Sequence, residues 1–266
     1  MTPEEKFMFD LEGYLVVRNV LSKEEVDQCN EVADRIARDQ FEIYRDDGLK
    51  LARNITLWDP CVQSLIDHPK IIPYLIELLG PNIHFDQDYC IFLDKGGSKG
   101  PLHAGTMKSK TELSSFFYTY RDGIMRNGLT TLVYALTPVR KGDGGFCCIP
   151  GSHKSNFQLD IPEDVMYFKR PAHYVVQPEL EPGDLIIFTE ATVHGTMPWT
   201  ANHDRRSFLF KYNPGNTISW ADYYNVDDYD YLTENQKRMM APPGGHGPKK
   251  PPRLDVVAPS FERRRR

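Results

Sequence analysis

An excess of positive charge, a long apolar run and a paired cysteine pattern are all missing from this chain, and each absence removes a class of function. The formal net charge of −5 argues against a nucleic-acid partner, which normally leaves a basic surface. The one basic run, Arg263 to Arg266, reads as a solvated tail. The longest apolar stretches, such as Leu185-Ile186-Ile187-Phe188, are far too short to span a bilayer, so no membrane partner is expected. Met1 to Lys6 is polar and mostly acidic and shows no secretory or transit pattern. The five cysteines (Cys29, Cys61, Cys90, Cys147, Cys148) are odd in number, and the adjacent Cys147 and Cys148 would point to opposite faces of a strand. They read as reduced, mostly buried thiols of a cytoplasmic protein. No internal repeat occurs.

What remains is the composition of one soluble globular domain with a substantial core. We read residues 1–240 as that domain: N-terminal helices over 1–80, a β-rich core over 82–215, and a helical cover over 217–240. Residues 241–266, rich in Pro and Gly before the arginines, read as an unstructured tail. Ser22-Lys23-Glu24-Glu25 is a capping-box signature, opening a helix expected to reach about Arg38, with Val26, Cys29, Val32, Ala33 and Ile36 as its buried stripe. A second helix, around Ile71 to Leu79, is closed by Gly80 and Pro81. From Asn82 onward the spacing predicts short strands at 83–94, 129–137, 145–149, 173–178, 184–189, 191–197 and 206–213. Many short strands with Gly- and Pro-bearing turns indicate a sandwich or barrel. The segment 104–128 is long for a connection, and its aromatic cluster Phe116 to Tyr120 reads as barrel packing, with a substrate wall as the alternative. The tyrosine-rich stretch after Asn216 is a candidate cover for an interface.

The chemistry concentrates on His103 and His194, which fall on different expected strands. Two such histidines plus a carboxylate two residues after the first would hold a mononuclear non-haem iron. Here that carboxylate position is Gly105. Arg205 follows His194 by eleven residues and offers a planar guanidinium for bidentate grip of a carboxylate. Its neighbour Arg206 would point to the other face of a strand. Three acidic residues are candidates to replace the missing ligand. Glu190 shares strand parity with His194, but four residues of extended chain place it about 13 Å away unless the strand bends sharply. Asp86 and Asp88 share one parity on another strand and stay open as alternatives. The six other histidines, including His153, read as structural or surface residues.

These strings resemble the phytanoyl-CoA dioxygenase family of iron and 2-oxoglutarate-dependent oxygenases. Phe9 to Val20 with the following capped helix resembles the family's N-terminal opening. Phe146-Cys147-Cys148-Ile149-Pro150-Gly151-Ser152-His153-Lys154 matches its Pro-Gly-Ser-His signature, and Gly183 to Phe188 followed by His194-Gly195-Thr196 matches the strand carrying the distal ligand. The similarity spans roughly residues 7 to 215. It implies a mainly β fold with flanking helices, a double-stranded β-helix (a cupin-like jelly-roll barrel) with the metal at its mouth. It implies His103 and His194 as ligands of Fe(II), and Arg205 as the partner of the far carboxylate of 2-oxoglutarate. Thr196 and Gln87 would be further cosubstrate contacts. O₂ and a small-molecule substrate complete the set.

Gly105 departs from the pattern, and His-x-Gly resembles the radical halogenases of the same superfamily. Deleting the carboxylate opens one coordination position and removes one negative charge; a chloride ion can restore both. The resulting expectation is an iron and 2-oxoglutarate-dependent oxidoreductase acting on an aliphatic C–H, with halogenation as one outcome. The alternatives are a hydroxylase with a relocated or exogenous third ligand, and a non-catalytic barrel that has lost iron.

Overall fold

The computed structural model describes residues 1–36, 38–103, 116–157, 160–219 and 224–242. Twelve strands and six α-helices build it. The strands are β1 (Tyr14–Val17), β2 (Ile43–Tyr44), β3 (Leu49–Arg53), β4 (Ile83–Leu93), β5 (Gly100–His103), β6 (Tyr118–Arg121), β7 (Ile124–Asn127), β8 (Thr130–Ala135), β9 (Gly145–Cys148), β10 (Leu185–Thr189), β11 (His194–Met197) and β12 (Arg205–Pro214). The helices are α1 (Pro3–Glu12), α2 (Lys23–Arg35), α3 (Pro60–Gln63), α4 (Ile72–Leu79), α5 (Glu163–Met166) and α6 (Glu234–Met240).

A seven-stranded antiparallel sheet runs β1-β10-β8-β12-β4-β3-β2, and a three-stranded sheet runs β5-β11-β9. This is the jelly-roll barrel expected from the sequence. Strand alternation divides the core. On the outer face of the large sheet, Leu132, Tyr134, Leu185, Ile187, Phe208 and Phe210 pack beneath residues of α1, α2, α4 and α6. On the inner face, Val133, Ala135, Ile186, Phe188 and Leu209 meet Phe146 and Cys148 of the small sheet. Both faces are covered, so these strands read as nearly continuous apolar runs. Cys147 joins a third cluster, with Leu102, Val193 and Val165 on the outside of the small sheet, so the two adjacent thiols do point oppositely.

The helix ends follow from local chemistry. Ser22 Oγ accepts from Glu25 N, and Glu25 accepts in return from Ser22 N at 2.7 Å, completing the expected capping box. That helix stops at Arg35 rather than Arg38, leaving Ile36 just beyond it. Thr2 and Glu5 form a second box at the start of α1, a helix the sequence reading did not identify.

Three expectations are corrected. Residues 1–80 are not all-helical after β1: 43–53 forms a hairpin whose second strand extends the large sheet alongside β4. Residues 173–178 form no strand; Val176 makes only an isolated bridge to Cys148. Within 104–128, residues 118–127 form the two-stranded hairpin β6–β7, and 104–115 lie outside the described residues. Most of the expected tail, 243–266, lies outside them as well.

Candidate metal centre

The two histidines face each other across a strand pair. β11 lies antiparallel to β5 with His194 directly opposite His103, and the register slips immediately afterwards. Their rings stand 4.4 Å apart at 52°. Each ring is fixed by the carbonyl two residues before it: His103 Nδ1 donates to Pro101 O at 2.9 Å, and His194 Nδ1 to Thr192 O at 2.8 Å. A carbonyl only accepts, so the proton sits on Nδ1 and the lone pair on Nε2, the arrangement of a metal-binding imidazole. Two imidazoles at right angles on one ion, each bound at about 2.1 Å, would hold their centroids about 4.5 Å apart. The observed spacing fits. Burial pushes the His194 imidazole down to about 4, so it stays neutral as a ligand must.

Gly195 lets the strands come this close. A Cβ there would lie 2.9 Å from Pro101 O and 3.0 Å from its carbonyl carbon, on the backbone of β5. Phe188 and Phe146 flank His194, with ring centroids at 4.6 and 6.3 Å, and shield it from solvent.

Between the sheets lies a cavity of about 400 Å³ lined by both histidines, Thr196, Gln87, Tyr89 and four cations, Arg53, Lys99, Arg205 and Lys211. Arg205 is 3% exposed, and its Nη1 is buried without a hydrogen-bond partner among the described residues. Burial pushes its guanidinium down to about 10. A buried charged donor left unsatisfied is costly, and a carboxylate entering the cavity would relieve it. Arg206, one residue on, points the other way and pairs with Asp34 at 2.7 Å.

Comparison with known proteins bears on this geometry. The family described as Phytanoyl-CoA dioxygenase (PhyH) matches residues 9–207. The chain belongs to the phytanoyl-CoA dioxygenase family. Comparison with curated proteins returns no match. Among solved structures, HygX from Streptomyces hygroscopicus with nickel and 2-oxoglutarate bound aligns with a TM-score of 0.73 at 21% identity, covering 83% of this chain and 90% of that one. EctD from S. alaskensis with 2-oxoglutarate and 5-hydroxyectoine gives 0.61 at 19% identity, covering 80% and 76%. The epimerase SnoN from nogalamycin biosynthesis, in complex with Fe3+, alpha ketoglutarate and nogalamycin RO, gives 0.59 at 19% identity, covering 80% and 83%. At such identities the likeness speaks to fold. Family membership supports an oxygenase-type function dependent on iron and 2-oxoglutarate.

In this family member the remaining sequence-identified residues fall as follows. Thr196 and Gln87 line the cavity; Gly105 lies outside the described residues. Asp86 and Asp88 do not line it. Asp86 Oδ1 accepts from Asn213 Nδ2 and Ser219 N, both at 2.8 Å, and Asp88 is taken by Thr56 N at 2.8 Å and by the Tyr224 hydroxyl. None of Phe116 to Tyr120 lines the cavity, and Tyr118 packs against Phe9 and His153. His153 donates from Nε2 to Asp10 O at 3.0 Å, a structural bond.

Glu190 corrects the sequence reading. The chain turns between Thr189 and Thr192, where Thr192 N donates to Thr189 O at 2.8 Å, so the extended-strand distance does not apply. Glu190 Oε2 lies 3.7 Å from His194 Nε2, and Oε1 lies 2.9 Å from Lys211 Nζ. Burial alone would raise the Glu190 carboxyl, but the Lys211 ammonium holds it down at about 2. Among the described residues, no group of three or more His, Cys, Asp and Glu stands in metal-holding geometry. Lys211 was also missed, although it shares strand parity with Arg205 and so was findable. Arg53 was not, because β3 was not recognised as a strand.

Proposed function

We propose that this protein is a non-haem iron(II) and 2-oxoglutarate-dependent oxidoreductase that oxidises an aliphatic C–H bond of a small organic molecule. The observation that carries the reading is the facing pair of imidazoles with Nδ1 tied back and Nε2 free, beside a buried arginine that lacks an anion. Iron held there with 2-oxoglutarate supplies the oxidation: substrate C–H, O₂ and 2-oxoglutarate become alcohol, succinate and CO₂. His103 and His194 hold the metal. Arg205 grips the far carboxylate of the cosubstrate, with Thr196 and Gln87 alongside. The residues that line the cavity include four cations, with Glu190 not among them, which suits a dianion. Metal and 2-oxoglutarate in HygX and SnoN, and 2-oxoglutarate in EctD, support the same pair of cofactors.

Gly105 gives the reaction two possible endings. A chloride ion beside His103 would divert it to alkyl chloride and water, consuming chloride and a proton. Another protein carboxylate would keep it a hydroxylation.

Anaerobic addition of Fe(II) and 2-oxoglutarate is expected to give a weak charge-transfer band in the visible range. His103→Ala should abolish it, and Arg205→Leu should keep metal binding while weakening 2-oxoglutarate by at least about tenfold. A wild-type protein with no band, or an Arg205→Leu variant with unchanged cosubstrate affinity, would contradict the reading.

A further inference from the structure

We propose that Glu190 is the protein carboxylate of this metal centre, replacing the one that Gly105 lacks. The inference rests on the two-histidine iron site above and decides between its two endings.

Three features of the side chain carry it. The turn that leads into β11 folds Glu190 back over the ligand strand: Thr192 N donates to Thr189 O at 2.8 Å and Ala191 N to Thr189 Oγ1 at 3.3 Å. Next, the two carboxylate oxygens are used differently. Oε1 accepts from Thr131 Oγ1 at 2.6 Å and faces Lys211 Nζ at 2.9 Å, whereas Oε2 faces His194 Nε2 at 3.7 Å. One oxygen anchored by protein donors, with the other turned to the metal's histidine, is how a monodentate ligand is oriented.

The third feature is the tautomer. Because His194 Nδ1 donates to Thr192 O, Nε2 carries a lone pair and has no proton to give Oε2, 3.7 Å away. Two lone pairs facing each other repel, and a cation between them turns the contact attractive. Donor atoms bound to one ion at about 2.1 Å, and 90–120° apart, are about 3.0–3.6 Å from each other. The observed 3.7 Å lies just beyond that span. The three side chains do not yet converge on one point. Closing the set needs the Glu190 carboxylate to turn into the cavity, whose lining holds both histidines but not Glu190. Glu190 then restores both the ligand and the negative charge, and no position is left for chloride.

The competing role is a buried counter-ion for Lys211 and nothing more. That role predicts lower stability without any change in metal affinity of the folded protein. The test is anaerobic Co(II) binding, followed by calorimetry and visible absorption, on full-length protein checked for folding by circular dichroism. Glu190→Gln leaves Lys211 unpaired, so the Glu190→Gln/Lys211→Met double variant is measured beside it. Both should bind Co(II) at least about tenfold more weakly than wild type. Adding Gly105→Asp to the double variant should recover most of the loss, which a counter-ion role does not predict. Co(II) affinity of the folded double variant within twofold of wild type, while His103→Ala has lost binding, overturns the Glu190 assignment and leaves the two-histidine site standing. Unchanged binding in His103→Ala overturns both. Wild-type protein gives a check that needs no variant: its Fe(II)–2-oxoglutarate band should ignore added chloride, and a chloride-dependent shift overturns the assignment.

Discussion

At the scale of single residues, the site is made by what small side chains permit and what turns bring back. Gly195 has no side chain to keep β11 off β5, and this closeness sets the two rings 4.4 Å apart. Gly195→Ala puts a methyl against backbone that cannot rotate away. The expected result is about 1–3 kcal/mol lower stability in urea unfolding, and Co(II) affinity reduced by about tenfold or more. Unchanged Co(II) affinity would show that the strand spacing does not set the metal site. His103, His194 and Arg205 could be picked out from the sequence because residue type and spacing restrict their chemistry. Glu190 could not. Strand parity was the right ruler for Arg205 against Arg206, since β12 is straight there, and the wrong one for Glu190, since the Thr189–Thr192 turn replaces an extended path.

At the scale of elements, hydrophobic periodicity and capping chemistry located α2, α4, β4, β8, β9, β10, β11 and β12 to within a few residues. The elements that escaped are those whose strand character comes from a partner rather than from their own residues. β3 is Leu49-Lys50-Leu51-Ala52-Arg53, with two charged residues and an alanine, and is held as a strand by pairing with β4. Conversely, 173–178 has strand-like residues but pairs with the sheets only through the isolated bridge at Val176. The junction of α1 and β1 shows how tightly one element end is specified. Gly13 closes α1 at φ +80°, and a Cβ there would lie 2.3 Å from Thr192 Oγ1 and 2.5 Å from His153 Nδ1. Gly13→Ala should therefore cost more than about 2 kcal/mol, combining a disfavoured backbone with overpacking. Equilibrium urea unfolding measures it, and a cost under about 0.5 kcal/mol would contradict the tight junction.

At the scale of the whole molecule, the large sheet separates two jobs. Its outer face buries helices, and its inner face carries the cavity and its cations. No helix among the described residues is long and apolar enough to cross a membrane. Stability should respond to pH through groups away from the metal. Burial pushes His153 down to about 4 from 6.5, so as pH falls the unfolded chain takes the proton first. Stability is then lost on acidification between about pH 6.5 and 4. Asp88 opposes this: burial raises it from 3.8 to about 6, so the folded chain takes that proton first. His153→Gln should flatten the fall in urea midpoint over this range, and an unchanged pH profile would contradict the burial of that ring. The most direct test of the central assignment is a crystal structure with Fe(II) and 2-oxoglutarate, read by anomalous scattering at the iron edge. The prediction is one iron peak within about 2.2 Å of Nε2 of both His103 and His194, with the far carboxylate of the cosubstrate on Arg205. An iron peak elsewhere, or cosubstrate bound away from Arg205, would contradict it.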